Sequence, residues 1–132
     1  MSRSRTAFTA ADFRRLALSF EGAVERAHMN HPDFRANGRI FATIHPDDRR
    51  GMVKLPPDEQ ARVVEEHPAI FTPENGAWGR QGCTRVEFSA SNEETVGEAL
   101  TLAWQQAMRL PAVAPARPRR AAPRRATPAK RR

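Results

Sequence analysis

The stretch that decides the fold class is His31-Pro32-Asp33-Phe34-Arg35-Ala36-Asn37-Gly38-Arg39-Ile40-Phe41-Ala42-Thr43-Ile44. Its centre, Asn37-Gly38, suits a two-residue type I′ turn, which requires positive φ at both central positions and so favours these two residue types. A two-residue loop sets the register: Ala36 opposes Arg39, Arg35 opposes Ile40, and Phe34 opposes Phe41. Apolar side chains then fall on both faces, so pattern alone leaves open which face meets the core.

Outward from this hairpin, residues 52–55 read as a short strand. Thr84, Val86 and Phe88 alternate with Arg85 and Glu87, the pattern of a strand with one buried face. A weaker strand is expected at 24–29. Residues 57–66 read as a short helix with Pro57 near its start and acids in its first turn. A helix is expected near 10–20, with Thr9 as N-cap and Asp12 in its first turn, Phe13, Leu16, Ala17 and Phe20 as its apolar face, and Gly22 as its stop. A longer one is expected at 92–110. There Ser91 and Glu94 have capping-box spacing, Val96, Leu100, Ala103, Ala107 and Leu110 form the apolar stripe, and Pro111 ends it. The order implies an α+β domain, an antiparallel sheet with helices packed on one face in two layers. Phe88 and Leu100 are expected in the core.

The chain has 132 residues, enough for one domain. No apolar run of membrane-spanning length is present, and residues 1–10 lack the apolar core of a signal peptide, so a cytoplasmic protein is expected. The charge is divided unequally. Of 22 Lys and Arg, eight (Arg117, Arg119, Arg120, Arg124, Arg125, Lys130, Arg131 and Arg132) lie within 111–132, which holds no acid; residues 1–110 carry the other 14 against 15 Asp and Glu. The net charge of +7 therefore belongs to the C-terminal segment. That segment has five Pro and almost no apolar side chains, so it is expected to be a disordered Ala/Pro/Arg-rich tail. In polyproline II form its reach would be about 70 Å. The expected organisation is a flexible arm at 1–7, a domain at 8–110 and a tail at 111–132.

The hairpin from His31 to Ala42 resembles the signature hairpin of the MmcQ/YjbR family. Gly51-Met52-Val53-Lys54-Leu55 resembles that family's next strand, and Gly76-Ala77-Trp78-Gly79-Arg80-Gln81-Gly82 its tryptophan loop, leading into Thr84-Arg85-Val86. The first helix with Leu16-Ala17-Leu18 and the last with Ala103-Trp104 also fit. The likeness covers residues 8–110. It implies a two-layer fold similar to that of frataxin, and a DNA-binding role described for the family as a double wing of sheet hairpins. It implies no enzyme activity and no cofactor.

Other chemistries find little support. His28 and His31 with Asp33, and His45 and His67 elsewhere, show no convergent set of three or four zinc ligands. An acidic iron-binding ridge on the first helix is missing, since that helix carries Asp12 followed by Arg14-Arg15. Cys83, the one cysteine, lies near Arg80 and Arg85, which could lower its pKa, but a small half-buried thiol is the simpler reading. Gly76, Gly79 and Gly82 lack the Lys-Ser/Thr or helix that phosphate loops place next. A tight loop with Trp78 as a lid on the core is expected instead. The competing role for Trp78, beside Arg80 and Gln81, is stacking on a base.

Arg35, Arg39, Arg49, Arg50, Lys54, Arg80 and Arg85 fall among the strands and would form a basic face if they shared one side, but Asp33, Asp47, Asp48 and Glu87 are interleaved. The expectation is a small non-catalytic protein that binds nucleic acid, duplex DNA first. Sequence-independent phosphate contacts would come from the tail cations. Arg35, Arg39, Lys54, Trp78 and Arg80 are the candidates from the domain. No metal and no membrane partner is expected. The alternative is a small-ligand or protein-interaction module that uses the Trp78 loop and a sheet face, with the tail incidental.

Overall fold

A computed structural model describes residues 7–28 and 30–111. Apart from Ala7 and Pro111, the arm expected at 1–7 and the tail expected at 111–132 lie outside the described residues, and the eight tail cations with them. The elements are α1 (Ala10–Leu18), β1 (Val24–His28), β2 (His31–Ala36), β3 (Arg39–Ile44), β4 (Arg50–Lys54), α2 (Pro57–Glu66), β5 (Phe71–Pro73), α3 (Gly76–Arg80), β6 (Cys83–Glu87) and α4 (Glu93–Arg109). The six strands make one sheet in the order β1-β2-β3-β4-β6-β5, and every neighbouring pair is antiparallel. The fold is α+β, as the order of elements implied.

Residues directly opposite each other on paired strands share a face. One such row runs Phe34, Ala42, Val53, Thr84, and another Ile44, Gly51, Val86, Phe71. All of these are buried, under α1, α2 and α4. The Phe13 ring of α1 lies 6.3 Å from Phe34 and 5.1 Å from Phe88. A Cβ at Gly51 would touch both Phe13 and Phe88. From α4, Val96, Ala99, Leu100, Ala103 and Ala107 point into the same layer, a stripe at helical spacing. Full burial of each large side chain here stabilises the fold by about 1.5–3 kcal/mol. Phe88 and Leu100 are core residues, as expected, though Phe88 sits in a 3-10 turn after β6 rather than on the strand.

The hairpin turn is as expected, with Asn37 at φ 56° and Gly38 at φ 76°. The pairs Ala36–Arg39 and Arg35–Ile40 also form. The expected Phe34–Phe41 pair does not. A bulge shifts the register so that Phe34 opposes Ala42, which leaves Phe41 free to pack edge-on against Phe20 at 6.2 Å. At α4 the N-cap is Asn92, not Ser91: Asn92 Oδ1 accepts from the Thr95 N–H at 2.8 Å. Ser91 Oγ instead donates to the Glu87 carbonyl at 2.6 Å. Leu110, assigned to the stripe, is past the helix end and exposed. α1 ends at Leu18, before Gly22, because Ser19 closes it by donating both its N–H and its Oγ to the Leu16 carbonyl. Two elements were not expected at all, β5 and the helical turn α3.

The start of α1 is a reciprocal box. The Thr9 N–H donates to Asp12 Oδ2 at 2.9 Å, and the Asp12 N–H donates to Thr9 Oγ1 at 3.3 Å. The Thr9 backbone N–H, chiefly, holds the Asp12 carboxyl below the usual carboxylate range, with Arg15 assisting. A lowered folded-state pKa means that the stabilisation is full above the unfolded value near 4 and is lost as pH falls through the folded value. Asp12→Asn should therefore cost about 0.3–1 kcal/mol at neutral pH and low salt. The deficit should shrink toward zero below about pH 4, which melting curves across pH 2–7 would read.

Candidate functional site

The face away from the helices carries a different row: Asp33, Thr43, Met52, Arg85 and Thr72 are opposed strand to strand. Asp33 is fully buried. Arg35, two residues along the same strand, grips it with both arms of the guanidinium, Nε to Oδ1 at 2.8 Å and Nη2 to Oδ2 at 3.1 Å. The carboxylate raises the Arg35 pKa. Further along the face, Glu74 accepts from Arg85 Nη2 at 3.1 Å and from His45 Nε2 at 3.1 Å. Asp33 is thus paired with Arg35 and Glu74 with Arg85.

Pairing between β3 and β4 runs from Ile44–Gly51 to Ala42–Val53 and stops at the bulge. Residues 39–41 diverge with β2, while Lys54 continues against Cys83 of β6. The gap is backed by the C-terminal half of α4, where Gln106 Nε2 donates to the Lys54 carbonyl at 3.4 Å. The result is a concave cavity of about 700 Å³. Met52, Thr43 and Cys83 of the sheet line it, as do Ala103, Gln106 and Ala107 of α4. Arg35, Arg39, Ile40 and Phe41 of β2 and β3, Lys54 of β4, and His45, Glu74 and Trp78 complete the lining.

Four of the five candidates from the folded part, Arg35, Arg39, Lys54 and Trp78, therefore line one cavity. Arg80 is exposed at the end of α3 and does not line it. The broad basic face is not formed, because Arg35 pairs with Asp33, Arg50 with Glu87, and Arg85 with Glu74. Nor is the β2–β3 hairpin a free wing. Asn37 Nδ2 donates to the carbonyls of Ala107 and Leu110, and Arg39 donates to the carbonyl of Pro111 at 3.0 Å. Together they satisfy acceptors that the end of α4 leaves open, so the hairpin tip is docked.

Trp78 is not the core lid that the glycine loop suggested. It is 66% exposed, on α3. Trp78→Ala should leave stability within about 0.5 kcal/mol of the parent in a denaturant melt. The thiol of Cys83 is buried, and that burial raises its pKa rather than lowering it, so it is a poor nucleophile at neutral pH. His31, His45, Glu74 and Met52 also line the cavity; they come from four different strands and loops, and no spacing in the sequence links them. Among the described residues no group of three or more His, Cys, Asp or Glu is placed to hold a metal ion. No helix among them is long and apolar enough to cross a membrane.

The sequence profile of the YjbR family matches residues 18–106. The chain belongs to the YjbR family. No curated protein matches it. Among solved structures it is similar to the crystal structure of Deinococcus radiodurans protein DR2400, a DUF419 protein, with a TM-score of 0.65 at 18% identity over 78% of this chain and 80% of that one. At that identity the likeness is one of fold.

Proposed function

We propose that this protein binds nucleic acid without catalysing a reaction, using the basic segment beyond Pro111 for phosphate contacts and the open sheet face as a docking surface. The observation that carries the reading is where the chain leaves the fold. Leu110 lines the cavity and the Pro111 carbonyl is held by Arg39, so the segment with eight cations and no acid starts at the cavity rim.

Charge distribution supports the same reading. Residues 7–111 carry 12 Arg and Lys against 15 Asp and Glu, so the fold as a whole repels a polyanion. The cavity lining differs: Arg35 is offset by Asp33 and Glu74 by Arg85, which leaves Arg39 and Lys54 without a carboxylate partner. A concave site with an excess of one charge focuses its field toward the opposite charge. Sequence-independent phosphate binding needs no more than cations held near one another.

The test is fluorescence anisotropy of a labelled oligonucleotide with the full chain, and with a chain whose eight C-terminal cations are replaced by Gln. The full chain should bind at low salt and the Gln chain should lose most of that affinity. Failure of the full chain to bind at low salt would remove the proposal.

A further inference from the structure

Each charged group of the cavity lining has a partner in the fold, with one exception. Arg35 is held by Asp33, Arg39 by the Pro111 carbonyl, and Glu74 by Arg85 and His45. The Lys54 ammonium makes no hydrogen bond or ion pair among the described residues, although the side chain is half-buried. A cation that lines a cavity without a counter-ion attracts an anion entering from solvent. Lys54 is carried into the cavity by its pairing with Cys83, while the Gln106 amide holds its carbonyl. The backbone that positions the ammonium is thus fixed before any ligand arrives.

The same cavity has an aromatic wall that the fold does not use. Trp78 lines it yet is mostly exposed. The other tryptophan, Trp104, is stacked on Phe20 and donates its indole N–H to the Glu21 carbonyl. A cavity lined by both an exposed ring and a cation without a counter-ion suits a ligand with a planar ring and an anionic group. A volume of about 700 Å³ lies within the usual range for small-molecule pockets.

We propose that the cavity seats one unpaired nucleotide, its base on Trp78 and its phosphate on Lys54. This rests on the nucleic-acid reading above and deepens it. Duplex readers push a convex helix or ribbon into a groove about 12 Å wide. Here the functional surface is concave and the neighbouring hairpin is tied to α4, so the base must come to the protein. Inside a duplex the bases are stacked and cannot enter; a single strand, an end or a flipped base can. The occupant is either a free mononucleotide or an unpaired unit of a strand, since both offer the same ring and phosphate.

The full chain would be titrated with 5′-AMP, adenosine and inorganic phosphate, reading tryptophan emission and heat, and then with a single strand and a duplex of equal length. The expected result is saturable quenching by 5′-AMP, with adenosine and phosphate each at least tenfold weaker. Trp78→Leu should abolish the quenching, Lys54→Gln should weaken 5′-AMP at least tenfold, and Lys54→Arg should restore much of it. The single strand should be preferred over the duplex, and Lys54→Gln should erase that preference. Equal binding of 5′-AMP and phosphate, or equal binding of both oligonucleotides unaltered by either variant, would overturn the cavity proposal and leave phosphate binding by the basic segment standing. If 5′-AMP binds as described but neither oligonucleotide does, the broader reading fails and the site is one for free nucleotides. All three variants alter side chains outside the core, and melting curves would check that they fold.

Discussion

Gly82→Ala should destabilise the protein by about 4 kcal/mol or more, close to the limit seen for single substitutions. Gly82 has φ +107°, which side chains rarely adopt, and an added Cβ would overlap the carbonyl oxygen of Leu55. That close approach is part of the sheet. The Leu55 N–H donates to the Gly82 carbonyl at 2.9 Å, and Thr84 Oγ1 donates to the same oxygen at 2.9 Å. Both sides of the clash are backbone, so no rotamer change relieves it. Backbone strain alone accounts for about 1–3 kcal/mol, and separating β4 from the start of β6 adds to it. Since domains have about 5–15 kcal/mol in total, the melting temperature should fall by at least about 15 °C. Gly97→Ala is the matched control. It lies inside α4 with nothing within 4 Å of an added Cβ, so it should stabilise by about 0.5–1 kcal/mol. A Gly82 variant that melts within a few degrees of the parent would show that the chain does not follow this path.

The spacing of glycines at 76, 79 and 82 was legible as a tight connection, but not as α3. Two glycines in five residues disfavour a helical turn by roughly 1 kcal/mol each, and tertiary anchoring overrides that. Gln60 Nε2 donates to the carbonyls of Gly79 and Cys83 and to Thr84 Oγ1, tying α2, α3 and β6 together. β5 was invisible for a related reason. Three residues ending in Pro73 show no period, and the strand exists because Phe71 fills the core opposite Val86. Local signals did better. The Thr9–Asp12 box and the Asn37-Gly38 turn involve only neighbours in sequence, so their chemistry is complete within a few residues. Ser91 and Asn92 are both competent caps one residue apart, and the choice between them falls to Glu87, whose carbonyl takes the Ser91 hydroxyl.

The site divides along the same line. Arg35, Arg39, Lys54 and Trp78 could be singled out because cations and an aromatic ring among strands are conspicuous residue types. Their convergence depends on β6 inserting between β4 and β5, and on the bulge in the β2–β3 ladder. Both are long-range events. The neutralisation of Arg35 and Arg85 likewise hinges on Asp33 and Glu74, whose partners only the register reveals. Composition correctly separated the charge of residues 111–132 from that of the fold, since charge can be counted without knowing geometry.

The largest expected effect concerns that charge. Deleting residues 112–132 removes all eight C-terminal cations, taking the net charge from +7 to −1, and keeps Pro111, whose carbonyl Arg39 uses. The core is built from residues 8–107, so the melting temperature should change by no more than about 2 °C. Binding to duplex DNA should change far more. Eight phosphate contacts would give a slope of log K against log salt near −7, at about −0.9 per contact. A partial engagement gives roughly −3 to −6, which lowers affinity by about two to three and a half decades between 50 and 200 mM salt. In the shortened chain the slope should be shallower than about −3, because Arg35 and Arg39 already serve Asp33 and Pro111 and only a few cations remain for phosphate. Sequence should matter little to the steep component, because phosphates are the same at every step of a duplex. The measurement is a salt titration of both chains on the same duplex. Equal affinity and equal slope would move the phosphate contacts out of residues 112–132 and into a fold whose own charge is negative.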